Sequence, residues 1–252
     1  MTEPRDRCAS ASGMLSGLTH ELRTPLNSIL MLSELLEESL EEPAREARYA
    51  RQIHQAAEDL LELVSQAAEL GRLEAGRLAV EAREVATADL TRRIEEAAEE
   101  AAGVGELPAG SAKPQVPPLL VERAPGAPER VVTDPAKLLR AIELVIAAAR
   151  HASGGATVAV LLEGPSGGGL AIRVADAGPT LVEGERESLF VPFGGAGPRT
   201  ARRFGGTGLG LPVAHALATL LGGTLTAEPG SGEEGCVLVL RIPHSRESIQ
   251  QG

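Results

Sequence analysis

Apolar side chains recur every three or four positions along the first 78 residues, a stretch that is nearly free of glycine. This spacing is typical of amphipathic α-helices, so the pattern predicts two long helices. The apolar positions are Leu15, Leu18, Leu22, Leu26 and Ile29 in the first helix, and Ile53, Ala57, Leu60, Val64 and Ala67 in the second. An acidic run over residues 37–42 separates the helices, and Pro43 suits the first turn of the second one. The short connection predicts an antiparallel helical hairpin.

Beyond residue 78 the pattern changes to short β-like runs that alternate with helical stretches. Helices are predicted over residues 87–102, 135–152 and 211–221, and strands over 118–121, 131–133, 156–163, 170–176, 224–228 and 236–242. Glycine-rich segments over 103–118 and 178–210 predict loops. This order of elements indicates an α/β sandwich that is separate from the hairpin.

The same pattern divides the chain into five parts. They are an extension of the first helix (1–13), the hairpin (14–78), a linker (79–86), the sandwich (87–245) and a tail (246–252). A lone hairpin of this size cannot cover its own apolar stripe on both sides. The simplest way to cover the stripe is a homodimer in which the helices of residues 14–78 form a four-helix bundle.

Composition and charge exclude several classes of partner. The net charge is −11, with 35 acidic against 24 basic residues, so there is no basic footprint for nucleic acid or for anionic lipid. No apolar run approaches the ~18 residues that a bilayer span needs, and the first residues are too polar for a signal peptide. Cys8 and Cys236 lie far apart and indicate neither a disulfide framework nor a metal site. We therefore expect a cytoplasmic protein with no membrane contact.

The first helix carries a candidate nucleophile. If Leu18, Leu22 and Leu26 face the core, then His20, Thr24 and Asn27 lie together on the opposite side. A neutral imidazole is nucleophilic near neutral pH, and the adjacent carboxylate of Glu21 can orient it. An isolated helical histidine is usually only solvated. Here, however, a proline at position 25 costs a helix about 3 kcal/mol, which favours a functional interpretation.

The segment His20-Glu21-Leu22-Arg23-Thr24-Pro25-Leu26 resembles the phosphoacceptor box of sensor histidine kinases. The resemblance implies that the hairpin is a dimerisation and histidine-phosphotransfer domain. It also implies that His20 carries a phosphoryl group, that Glu21 assists its nucleophilicity, and that Thr24 helps to position water for dephosphorylating a partner. The implied partner is a response-regulator receiver domain whose aspartate takes the phosphoryl group.

The second domain repeats the order of that family's nucleotide-binding boxes. Val174–Leu181 resembles the box whose aspartate, here Asp176, hydrogen-bonds the adenine amino group, although Thr180 replaces the usual second glycine. Leu189–Phe193 resembles the phenylalanine box, and Gly205–Leu211 resembles the glycine box that closes over ATP and opens a helix. The resemblance implies a GHKL (Bergerat) sandwich that takes ATP or ADP. The implied nucleotide-binding residues are Asp176, Gly178, Thr180, Gly206, Thr207, Gly208, Leu209 and Gly210.

One element of the family is missing, the asparagine box whose asparagine holds the Mg²⁺ on the ATP phosphates. Asn27 is the single asparagine of the chain. In the helix of residues 135–152, the buried stripe places Leu144 and Ala148 where the family's two asparagines would lie. A register shifted by one residue places Glu143 and Ala147 there instead. Mg²⁺ requires hard oxygen ligands, so we predict no metal ligand in the first register, while Glu143 stays open in the second.

Three functions remain open. Loss of the metal ligand damages ATP-dependent transfer most, since phosphoryl transfer depends on positioning and charge neutralisation. This favours a phosphorelay protein that exchanges a phosphoryl group between His20 and receiver aspartates, as a phosphotransferase or phosphatase with a weakened or lost autokinase step. The alternatives are an active soluble histidine autokinase that uses ATP, and a non-catalytic pseudokinase scaffold that binds a partner through the bundle.

Overall fold

The structure is a computed structural model that describes residues 22–36, 43–103, 118–165, 168–178, 180–193, 207–230 and 235–243. Its helices are α1 (residues 22–36), α2 (Pro43–Glu74), α3 (Thr87–Gly103), α4 (Pro135–Ala152), α5 (Glu183–Ser188) and α6 (Gly210–Leu220). Its strands are β1 (Arg83–Ala86), β2 (Leu119–Arg123), β3 (Arg130–Thr133), β4 (Val158–Glu163), β5 (Leu170–Ala175), β6 (Thr224–Pro229) and β7 (Cys236–Ile242). Within these residues, no helix combines the length and the hydrophobicity that crossing a membrane requires.

Helices α1 and α2 are the predicted helices of the hairpin, and one seam of α2 is buried within the chain. Buried and partly buried side chains alternate at intervals of three and four residues, the spacing of a helix packed along one seam. They are Tyr49, Ile53, Ala56, Leu60, Leu63, Ala67 and Leu70. Ala57 and Val64, two of the apolar positions that predicted the helix, are exposed within one chain. Both lie one position after a member of the seam, on a second apolar stripe that periodicity cannot distinguish from the first.

The hairpin leaves large apolar side chains uncovered within one chain. They are Leu26 (48% exposed), Leu30 (55%), Met31 (56%), Leu61 (68%) and Val64 (50%). The expectation that Leu26 faces the core is therefore wrong for a single chain, whereas Leu22 is partly buried against it. An apolar face of this kind on both helices is what the predicted four-helix bundle would cover.

The sandwich is built on a five-stranded sheet in the order β2-β4-β5-β7-β6. Only the β2–β4 pair of this sheet is parallel, and the other neighbours pair antiparallel. Helices α4 and α6 pack against each other and against the sheet. The core between these layers includes the fully buried Leu138, Ile142, Leu162, Ile172, Leu217, Leu238 and Leu240. The predicted α/β sandwich is thus confirmed.

A two-stranded ribbon of β1 and β3 lies where the hairpin joins the sandwich. The strands pair antiparallel from Arg83 opposite Thr133 to Ala86 opposite Arg130. Residues 83–86 belong to the predicted linker; the run is short and contains one large apolar residue, Val85. Asp134 follows β3 and accepts the amide of Glu81 at 2.9 Å, which ties the end of the linker to the start of α4.

Candidate functional site

The structure describes only part of the predicted phosphoacceptor box, from Leu22 onward. His20, Glu21 and the residues before them lie outside the described residues. Thr24 is exposed on α1, and its carbonyl accepts a hydrogen bond from Ser28 Oγ at 3.1 Å. Helix α1 continues through Pro25, which is half-buried. The Thr24 side chain is therefore available at the surface, as its predicted role requires.

Asp176 lies in a tightly held turn at the end of β5. Its carboxylate Oδ1 accepts the amide of Gly178 at 2.7 Å, and its own amide donates to the carbonyl of Cys236 at 3.0 Å. Gly235 donates to the carbonyl of Gly178 at 2.6 Å and adopts a φ of 90°. A Cβ at Gly235 would collide with the carbonyl oxygen of Asp176, so glycine is required there. The strand ends thus fix Asp176 and Gly178, while Thr180 lies exposed two residues beyond Gly178.

The glycine turn is held by its own threonine. Thr207 is 9% exposed, and its Oγ1 accepts the amide of Leu209 at 3.2 Å. Leu209 is buried at the N-cap of α6, and Gly210 begins that helix. Gly208 has a φ of 69°, a conformation that favours glycine. Gly206, the remaining predicted member of this turn, lies outside the described residues.

The phenylalanine segment braces the glycine turn. The amide of Phe193, whose φ is 53°, donates to the carbonyl of Gly208 at 3.3 Å. Phe190 stacks on His215 of α6, with ring centroids 5.3 Å apart. Burial lowers the pKa of His215, which favours the neutral ring in this stack. The two predicted boxes therefore form one connected structure.

Helix α4 connects the Asp176 turn with the glycine turn. At its C-terminal end, Ser153 Oγ accepts the amide of Ala177 at 3.3 Å. In its middle, Leu144 Cδ2 lies 3.8 Å from the position that a Cβ would take on Gly210. Nine residues of helix separate these contacts, which corresponds to about 14 Å. The base and the phosphates of one nucleotide can span such a separation.

The face of α4 that meets the glycine turn does not fit Mg²⁺. Leu144 and Ala148 are both buried and carry no oxygen ligand. Glu143 of the shifted register is exposed on a different face, where its carboxylate lies 3.9 Å from the guanidinium of Arg140. Among the residues that the structure describes, no group of three or more His, Cys, Asp or Glu side chains could hold a metal ion. Since Mg²⁺ needs hard oxygen ligands, this face of α4 does not supply the family's metal site within the described residues.

A residue that the sequence motifs did not indicate connects the hairpin to the glycine turn. Gln66 of α2 is 2% exposed, and its Oε1 accepts a hydrogen bond from the Thr207 hydroxyl. Nearby, Arg140 of α4 donates to Glu69 of α2 at 3.3 Å. The available signal was the position of Gln66, three residues after Leu63 and four before Leu70, which makes it a polar residue beside the apolar seam.

Two family profiles match consecutive parts of the chain. The His Kinase A (phospho-acceptor) domain matches residues 10–76. The family described as histidine kinase-, DNA gyrase B-, and HSP90-like ATPase matches residues 133–246.

Known proteins are similar to this chain over nearly its whole length. Sensor protein GacS of Pseudomonas syringae pv. syringae is 29% identical over 245 residues, which cover 95% of this chain and 26% of GacS. Histidine protein kinase DivJ of Caulobacter vibrioides is 31% identical over 245 residues, which cover 93% of this chain and 38% of DivJ. The chain therefore spans less than two fifths of the length of these curated relatives.

Solved structures share the fold. The histidine kinase AdeS of Acinetobacter baumannii has a TM-score of 0.67 at 20% identity, covering 90% of this chain and 98% of AdeS. The histidine kinase ThkA, solved in complex with the response regulator TrrA, has a TM-score of 0.71 at 20% identity, covering 96% of this chain and 64% of the ThkA chain. Profiles, relatives and fold agree, and the chain belongs to the histidine kinase family, with a phosphoacceptor hairpin followed by an ATPase-type sandwich whose asparagine box is degenerate.

Proposed function

We propose that this chain exchanges a phosphoryl group between His20 and the aspartate of a response-regulator receiver domain, and that its ATP-dependent autokinase step is weakened or lost. The observation that carries the proposal is the contact of α4 with the glycine turn. Leu144 lies against Gly210, and Leu144 and Ala148 are the positions that the first predicted register gives to the family's two asparagines; neither side chain carries an oxygen. The phosphoacceptor box, in contrast, is complete from His20 to Leu26.

The exchange itself uses only groups of the hairpin and of the partner. A ring nitrogen of His20 attacks the phosphorus of a receiver phosphoaspartate, so that an N–P bond forms and the P–O bond to the aspartate breaks. The aspartate leaves as a carboxylate, and Glu21 stabilises the positive charge that develops on the imidazole. The reverse reaction phosphorylates a second receiver. Neither direction passes through the sandwich, so the altered α4 leaves this chemistry intact.

Dephosphorylation of the receiver is the second activity that the hairpin supports. The exposed hydroxyl of Thr24 can hold a water molecule for attack on the receiver phosphoaspartate. In that reaction the water oxygen binds phosphorus, the aspartate leaves, and inorganic phosphate is released. The homodimer of the hairpin, which places two such helices in one bundle, is part of this proposal.

The sandwich is proposed to bind ATP or ADP through the two turns. The carboxylate of Asp176 receives the adenine amino group, and the turn of Thr207, Gly208, Leu209 and Gly210 presents backbone amides to phosphate oxygens. ATP, when bound, supplies the phosphoryl group for an autokinase. The ordered Asp176 turn is the observation that favours the alternative of an active histidine autokinase, because a hydrogen-bonded nucleotide turn is retained.

The decisive experiment supplies a phosphoryl group without ATP. The chain is incubated with ³²P-labelled phosphorylated receiver domains, together with a His20→Ala variant as the matched control. We expect label on the wild-type chain, or faster receiver dephosphorylation, with neither seen for the variant. If no label reaches His20 and the receivers lose phosphate no faster, the relay and phosphatase functions both fail, and the autokinase and the non-catalytic scaffold are left.

A second experiment separates relay from autokinase. The chain is incubated with γ-labelled ATP and Mg²⁺. Robust labelling that disappears in the His20→Ala variant would show an active autokinase and contradict the weakened ATP step. We expect little or no label.

A further inference from the structure

The hydrogen bond between Gln66 and Thr207 belongs to a chain of polar contacts that starts on the hairpin and ends in the glycine turn. Glu62 Oε1 accepts from Gln66 Nε2 at 2.8 Å, Gln66 Oε1 accepts from the Thr207 hydroxyl, and Thr207 Oγ1 accepts from the Leu209 amide at 3.2 Å. Gln66 and Thr207 are 2% and 9% exposed, so water does not replace either partner while α2 is docked.

These contacts occupy two of the donors that the glycine turn would offer to an anion. The hydroxyl of Thr207 has one proton, and it is given to Gln66. The amide of Leu209 at the start of α6 is given to Thr207 Oγ1. A phosphate group that takes either of these protons competes with the contacts that hold α2 in place.

We infer that Gln66 is a positioning residue through which docking of α2 on the sandwich opposes phosphate binding at the glycine turn. This inference rests on the nucleotide site of the proposed function, but not on phosphoryl transfer to His20. Binding linkage is reciprocal, so nucleotide weakens the docking of α2 by the same factor by which docking weakens the nucleotide. Binding of nucleotide to the sandwich thereby changes the docking of the hairpin, the part of the chain that is proposed to exchange the phosphoryl group with the receiver.

A second contact offers a way to change docking without changing the nucleotide turn. Arg140 donates from Nε and Nη2 to Glu69 Oε2, both at 3.3 Å, and Glu69 is only 17% exposed at its side chain. Glu69→Arg places two cations together and opposes docking, whereas the double variant Glu69→Arg/Arg140→Glu restores an ion pair of reversed polarity. Neither residue belongs to the glycine turn.

The test measures the affinity of the full chain for a fluorescent N-methylanthraniloyl ADP. We expect Gln66→Leu and Glu69→Arg each to bind it at least about fivefold more tightly than wild type, within the usual range of coupling between sites. The charge-swapped double variant should return close to the wild-type value. Gln55→Leu is the matched control, because Gln55 is a glutamine of the same helix whose bond to Asp59, 3.1 Å long, is exposed. Gln55→Leu should leave the affinity for the fluorescent ADP unchanged.

The restoring effect of the charge swap is the readout that a merely structural role would not produce. Equal or weaker ADP binding by both Gln66→Leu and Glu69→Arg would overturn the inference, as would an effect of Gln66→Leu without one of Glu69→Arg. Absence of binding by wild type and all variants up to millimolar probe would overturn it too. Failure of label to reach His20 from a receiver, with the ADP result as expected, would instead contradict the proposed function alone.

Discussion

At the scale of one residue, Asp134 fixes the start of helix α4 and the end of the linker that precedes the sandwich. It is 3% exposed and caps α4, where Oδ1 accepts the amides of Ala136 and Lys137 at 3.1 and 3.2 Å. Its Oδ2 accepts from Lys137 Nζ at 2.6 Å and from the amide of Glu81. Burial alone would raise the pKa of this carboxyl, but the hydrogen bonds from Lys137 and Glu81 outweigh it and hold the pKa below its ordinary value.

Asp134→Asn should destabilise the sandwich by about 1–3 kcal/mol, since the amide loses the charge that pairs with Lys137 and cannot accept every bond. Because the folded pKa is lowered, this stabilisation is fully present above the ordinary pKa of 3.8 and is lost as the pH falls through the folded value. Urea unfolding at pH 7 and in the acid range measures both effects. Asp89→Asn, a change at an exposed helical carboxylate, is the control and should shift neither curve noticeably. Equal stability of Asp134→Asn and wild type at pH 7 would contradict this account.

Thr24→Ala should slow dephosphorylation of a phosphorylated receiver about 10²-fold, the cost of misplacing one reacting group. Transfer between His20 and the receiver should continue, because it does not need the water. The measurement follows receiver-bound and histidine-bound label over time. Thr219→Ala is the matched control, since Thr219 is also exposed on a helix and its hydroxyl bonds the carbonyl four residues before it, at 3.0 Å. Parallel loss of transfer and dephosphorylation would show that Thr24 does not act on water.

At the scale of an element, the register of α4 decides what the nucleotide site can do. Leu144→Asn/Ala148→Asn should restore Mg²⁺-dependent labelling of His20 from ATP, by at least about tenfold over wild type, because it returns oxygen ligands to the face that meets Gly210. Each buried amide costs about 1–3 kcal/mol of stability, so folding is checked by circular dichroism. Glu143→Asn/Ala147→Asn on the exposed face is the control, and it should show no increase in labelling of His20 from ATP. A gain in the control instead would mean that the shifted register is the functional one.

The elements differ in how far the sequence could predict them. The bounds of α4 were predictable because Asp134 caps it and Pro135 occupies its first turn, two local signals that the fold does not override. Strand β1 was not predictable from the sequence, since Arg83–Ala86 becomes a strand only by pairing with β3. The face of α2 that is buried within the chain was not predictable, because two apolar stripes run along the helix and periodicity cannot tell which one packs within the chain. The Asp176 and glycine turns were recognisable as motifs, whereas the contact of Gln66 with Thr207 joins residues 141 positions apart and leaves no local pattern.

At the scale of the whole molecule, the exposed apolar face of the hairpin should control assembly. Leu30→Glu or Leu61→Glu places a charge where a second copy is expected to pack, and symmetry repeats the change in the partner. Losing two buried leucine side chains costs about 3–6 kcal/mol, so the dimer Kd should rise by at least about 10²-fold. Sedimentation equilibrium measures this. Leu120→Glu, at a leucine of the sandwich that is 51% exposed, is the control. An unchanged Kd in both hairpin variants would place the dimer elsewhere.

The ribbon of β1 and β3 has a consequence for how far the two halves of the chain can separate. Helix α2 ends at Glu74, and the amide of Glu81 is already fixed to Asp134. Only residues 75–80 are left as a tether, and six residues reach at most about 20 Å. A hairpin that leaves the sandwich therefore stays near it at an effective concentration on the order of millimolar.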